Sequence, residues 1–225
     1  MGVTTRALAY FTIIGIVVYV AIDVSLRFLR PEYSLLHNAE SDYGRGPWFW
    51  VMDLNFLLRC ALTLALVEAL RRGASAARMR RGLMLLALWG TCSGLLAFFA
   101  DDVEGQPVRG SGTVHLALAF VAFIAVAIAT VSISVALRTS RPWQHVVNML
   151  TVISSLGVVA LLLLGRSAGR VSAPGGLYER IFLGLELLWM GVVAVSLLRL
   201  APDEIAAEGY CGRDRLRATS AHDIG

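Results

Sequence analysis

Asp53, Asn55 and Arg59 stand inside the apolar run WFWVMDLNFLLRC, where a charge is costly and needs a partner or a polar cavity. Asn55 and Arg59 are four residues apart and share one face of a helix, whereas Asp53 lies on another meridian and needs a neighbouring helix for its partner. Ionisable residues recur at the matching end of other apolar runs. Asp23 and Arg27 are four apart with the acid first, the order that favours an intrahelical pair. Asp101 and Asp102 end one run, His115 opens the next, and Glu179, Arg180 and Glu186 lead the last, the two glutamates seven apart on nearly one face.

A carboxyl beside an imidazole that titrates near neutrality is equipped for proton transfer. On that ground Asp53, Asp101, His115 and Glu186 are the candidate catalytic residues. Arg59, Arg27 and Arg180 can hold a lipid phosphate or carboxylate through charge-assisted hydrogen bonds. Ser41, Asp42, Asn55, Arg59, Asp102, Glu179 and Arg180 are accordingly the candidate ligand-binding residues. Ser41 has no nucleophile-elbow sequence around it. His37 and His115 form no pair at i, i+4, so no metal is expected. Glycine-rich phosphate loops and dinucleotide motifs are absent, and no cofactor is implied.

The elements that must position these residues follow from composition. The 225-residue chain is 57% hydrophobic and only 16% charged, with a mean hydropathy of +0.68. A soluble domain of this size carries about 25% charged residues. The apolar residues fall into six runs of spanning length, roughly 8–29, 48–70, 83–100, 113–137, 146–165 and 180–200. Backbone polar groups cannot face lipid unpaired, so the expected fold is all-α, a polytopic integral membrane six-helix bundle. The bundle is read as one domain over 1–200, followed by a tail over 201–225.

All 20 basic residues are arginine, spread over short loops, and this pattern excludes a nucleic-acid partner. Arg71, Arg72, Arg78, Arg80 and Arg81 follow the second run, Arg138 and Arg141 the fourth, and Arg199, Arg213, Arg215 and Arg217 the sixth. The other loops mix signs, so the positive-inside rule places both termini in the cytoplasm. Three cysteines, two of them within apolar runs, read as free thiols. Gly90 and Gly94, four apart, suit close helix packing, either within the chain or in a homo-oligomer.

This topology puts the turn-rich SDYGRGP, whose Gly44, Gly46 and Pro47 suit a tight loop-to-helix junction, just outside the outer leaflet. It also puts the polar residues of several helices at one depth on the outer side, while the inner half offers Glu68, Asn148 and little more. A pocket that opens outward and takes a lipid-like or amphipathic small molecule is the leading expectation. A structural or partner-binding role predicts instead that all outer charges are paired without a cavity, and transport needs a polar path inward.

The segments RPEYSLLHNAESDYGRGPW, MDLNFLLRC, FFADD, GTVH and GLYERIFLGLELLW, in that order, resemble a bacterial multi-pass membrane family, domain of unknown function 998. The resemblance implies an integral membrane bundle of the bacterial inner membrane with no settled activity. It marks Ser41, Asp42, Asp53, Asn55, Asp101, His115, Glu179 and Arg180.

Overall fold

The computed structural model describes residues 3–73, 76–102, 110–170 and 172–200. The tail over 201–225, with Cys211, His222 and three of the arginines that supported the orientation, lies outside the described residues, as do Glu104 and Arg109.

Six helices form the bundle: α1 (Val3–Leu29), α2 (Phe49–Gly73), α3 (Ala76–Leu96), α4 (Gly110–Leu137), α5 (Val147–Ser167) and α6 (Gly175–Arg199). Each packs on its neighbours in the chain, and α6 closes the ring by packing on α1. Five of the six are long and apolar enough to cross a membrane on their own sequence. The exception is α3, whose first two turns carry Arg78, Arg80 and Arg81. Those arginines were expected in a loop. Arginine is a good helix former, and at a helix end its side chain reaches water, so the helix extends through them. At its other end α3 stops at Leu96 and not at Ala100; Phe98 N–H and Phe99 N–H close a tight last turn on the carbonyls of Leu95 and Leu96, at 3.0 and 3.2 Å.

The outward surface is apolar, as a lipid-facing surface must be: Phe11, Ile14, Val17 and Phe28 of α1 and Leu116, Phe120 and Ile128 of α4 are exposed. Inside, Trp89, Trp143 and Trp189 are fully buried. Helices in lipid gain nothing from hydrophobicity alone and associate by close packing. Gly90 and Gly94 serve that purpose within the chain, because a Cβ on either would stand 3.0 Å from Thr63 or Cys60 of α2. The glycine pair is thus occupied by the α2–α3 contact and is not free for a second copy.

The loop between α1 and α2 folds back over the outer end of the bundle. Its short 3₁₀ turn, Glu40–Gly44, packs on α2 and α6 and buries Glu40, Asp42 and Tyr43. Arg30 anchors the loop by donating to the carbonyls of Arg45 and Pro47, the latter at 2.8 Å, and to Glu32 at 2.5 Å. That last bond holds the exposed Glu32 carboxyl below the usual carboxylate range. At the junction with α2, Gly46 and Trp48 have φ of 66° and 71°. Glycine takes that conformation freely and tryptophan does not, so the Arg30 bonds on either side hold the strained turn.

Candidate functional site: a closed polar chamber under the first outer loop

Beneath this loop lies a chamber of about 20 Å³, lined by Glu40 and Ser41 of the loop, Arg59 of α2, His115 of α4 and Glu179 of α6. Phe56, Leu96, Phe123 and Leu183 complete its walls. That volume holds about one water molecule.

Arg59 is the central cation and is 3% exposed. It donates to the Tyr19 hydroxyl and to the Ser93 hydroxyl, each at 3.0 Å, so one side chain joins α1, α2 and α3. The rings of Phe56, Tyr19 and Trp89 surround its guanidinium with centroids at 5.3, 5.7 and 5.9 Å. Such faces stabilise a desolvated cation. Tyr19 in turn donates to the Glu40 carboxylate, bridging the cation on α2 to the anion of the loop.

His115 Nδ1 stands 2.7 Å from the carbonyl oxygen of Phe99, in the turn that ends α3. A carbonyl only accepts, so Nδ1 carries the proton and Nε2 presents its lone pair. Nε2 is buried without a hydrogen-bond partner, and the imidazole lines the chamber.

A second shell of polar contacts seals the loop. Ser41 donates to Asp101 at 3.3 Å, and the other oxygen of Asp101 accepts from the Asp102 N–H at 2.8 Å. Arg45 pairs with Asp42 and also donates to the Asp102 carbonyl, while Asn38 donates to Asp42 at 2.9 Å. Arg180 donates to the carbonyls of Asn38 at 2.6 Å, Gly176 at 3.1 Å and Leu35 at 3.4 Å, which clamps the loop onto α6. Burial pushes the Tyr43 hydroxyl above its ordinary value, and the Arg180 guanidinium over its ring acts in the opposite sense.

Of the residues singled out in the sequence, Ser41, Arg59, His115 and Glu179 therefore meet in the chamber, and Asp42, Asp101, Asp102 and Arg180 form its seal. Three do not join them. Asp53 is half-buried on another face of α2 and does not line the chamber. Glu186 lies two turns along α6 from Glu179, about 10 Å away, with both carboxyl oxygens unpartnered. It abuts Gly157 of α5, where any Cβ would stand 2.8 Å from Oε1. Asn55 is fully buried, and both ends of its amide lack a partner. Nor does Asp23 pair with Arg27; its carboxyl turns inward and feels Glu40, Arg180 and Arg59.

Two members of the site, Glu40 and Tyr19, are not among the candidates that the sequence singles out. Tyr19 stands well inside the 27-residue α1, away from both ends, and that position was the available signal. Nothing local marks Glu40, because its burial depends on how the loop folds back.

The unpartnered amide yields a direct expectation. A buried amide without hydrogen bonds costs about 1–3 kcal/mol, so Asn55→Leu, of similar shape, should raise the thermal midpoint in detergent by roughly 2–12 °C. A fall would mean that the amide is bonded in the folded protein.

No curated protein and no solved structure matches the chain. The family model described as "Protein of unknown function (DUF998)" matches residues 13–196, which takes in α2 to α5, most of α1 and α6, and every residue of the chamber. The chain belongs to the DUF998 family and is a bacterial multi-pass protein of the inner membrane.

Proposed function

We propose that the chamber receives the polar group of a lipid-like or amphipathic small molecule from the outer leaflet, and that both termini are cytoplasmic. The observation that carries this reading is the buried, unpartnered Nε2 of His115, whose imidazole lines a space shared with Glu40, Glu179, Arg59 and Ser41. Other buried polar atoms among the described residues also lack partners, those of Asn55 and Trp89 among them, but of these residues only His115 lines the chamber. A lone basic nitrogen on a ring in the chamber wall suits a proton that arrives with a ligand.

The chemistry available is acid–base. Nε2 takes a proton from a bound hydroxyl or water, the carboxyl of Glu179 exchanges one from the α6 side, and Arg59 faces developing negative charge. At its present volume the chamber admits no lipid headgroup. The loop of Arg30–Trp48 must lift, which breaks its bonds to Tyr19, Asp101, Asp102 and Arg180. Orientation rests on the arginines at the ends of α2 and α6 and at the start of α3.

A structural reading has one observation in its favour: Arg59, Tyr19 and Glu40 are already mutually bonded. The test separates the two. His115→Gln and Glu179→Gln remove acid–base capacity with little change of shape. Lipids that co-purify in mild detergent, and the lipid profile of membranes overproducing each variant, are compared with wild type by mass spectrometry. Either substitution should reduce the wild-type-specific change about 10²-fold or more, with the thermal midpoint held. Normal folding with an unchanged lipid profile in both variants would leave the chamber as scaffold.

A further inference from the structure

On the face of α6 turned away from Glu186 runs an apolar trough of about 530 Å³, open sideways to the membrane. Its floor includes Gly184 and Gly191; Ile16 and Val20 of α1 form one wall, and Val146, just before α5, and Met149 of α5 the other. Arg199 closes it at the end of α6. We infer that this trough seats one acyl chain of an anionic glycerophospholipid, whose phosphate meets Arg199.

The glycines give the first argument. Small residues in membrane helices usually admit another helix. Here a Cβ on Gly184 would meet nothing within 4 Å, and one on Gly191 would meet only Ile16, at 3.9 Å. Among the described residues no helix fills the space they leave. Dimensions give the second. From Gly184 to Arg199 is about 22 Å along the helix, more than the roughly 15 Å of hydrocarbon in one leaflet, so the trough is long enough to seat one extended acyl chain along its length.

Charge gives the third argument. Arg199 has no hydrogen-bond or ion-pair partner among the described residues. The same end of the bundle carries Arg71, Arg72, Arg138 and Arg141. Lipid tails are as apolar as the trough, so burial alone does not select an occupant. Selection falls to the phosphate at Arg199.

The trough and the outer chamber share no lining residue, so substitutions here leave the proposal for the chamber untouched. The protein is reconstituted in vesicles of equal phosphatidylglycerol and phosphatidylcholine with matched chains, re-extracted in mild detergent and weighed by native mass spectrometry. Wild type should retain one phospholipid per chain, with phosphatidylglycerol favoured about fivefold, the worth of one arginine at a membrane surface. Arg199→Gln should abolish that preference. Gly184→Phe, whose side chain grows into open space, should lower retained lipid about tenfold while the thermal midpoint holds, because a filled trough has no dispersion contacts left to offer. Val195→Trp at the trough's rim serves the same purpose if the first variant folds poorly. The inference is overturned by equal retention of the two lipids in wild type, or by undiminished lipid in both filling variants. A lipid-free wild-type dimer that Gly184→Phe separates would likewise overturn it, making the trough an interface between copies.

Discussion

Arg59→Met lowers the thermal midpoint of the detergent-solubilised protein by roughly 6–20 °C, corresponding to about 3–5 kcal/mol for a buried charge network broken on one side. Methionine fills the space between the rings of Phe56, Tyr19 and Trp89, so the loss is not one of volume. What disappears is the cation that balances Glu40 through the Tyr19 hydroxyl, together with the bond to Ser93 that ties α2 to α3. Glu40 is 4% exposed and is left as an uncompensated carboxylate. The same logic predicts a rescue: Arg59→Met combined with Glu40→Gln removes both charges and should recover more than half of the loss. Circular dichroism melts of the two single variants and the double variant complete the cycle. Additive losses would show that Arg59 and Glu40 do not act as a unit, and the chamber would then lose its electrostatic account.

That coupling also marks the limit of what the sequence conveyed. The lengths of the apolar runs were enough to give an all-α six-helix bundle, because the bilayer fixes how long a spanning helix must be. The depth of Arg59, His115 and Glu179 followed from their positions within those runs, and depth correctly suggested that they share one end of the molecule. Rotation about each helix axis was not legible. Asp53 and Asn55 are two residues apart, yet one is half-buried away from the chamber and the other is fully buried. Periodicity normally supplies that angle. In a membrane bundle the outward face is as apolar as the inward one, so the pattern carries little phase information. The loop was harder still. Glu40 reaches Tyr19 across 21 residues and Arg180 reaches Asn38 across 142. Such contacts appear only once the helices are assembled, and they turn a string of ordinary loop charges into the cover of a chamber.

The cover itself can be tested at one atom. Gly176, the second residue of α6, lies so close to the loop that a Cβ there would fall well inside van der Waals contact of the Asn38 carbonyl oxygen and 2.8 Å from its carbon. Helix propensity alone favours Gly176→Ala by about 0.8–1.0 kcal/mol. Sterics decide the sign, because the opposing atoms are backbone and cannot rotate away. The loop must move, and it then loses the bonds that meet at this spot: Arg180 to the Asn38 carbonyl and the Leu177 N–H to the Leu36 carbonyl at 3.2 Å. Overpacking of this kind costs about 1–3 kcal/mol, which corresponds to roughly a ten- to hundredfold rise in local opening. Hydrogen–deuterium exchange in detergent should therefore accelerate by that factor in residues 30–48 of Gly176→Ala, while exchange in α3 and α4 stays at the wild-type rate. Gly184→Ala is the matched control, since its Cβ meets open space and should leave the loop as protected as before. A loosened loop should also widen the chamber and admit ligand more readily, so this variant is expected to bind faster and to hold less tightly. If exchange in residues 30–48 is unchanged, the loop is not held by its contact with α6, and the chamber must be opened by some other movement.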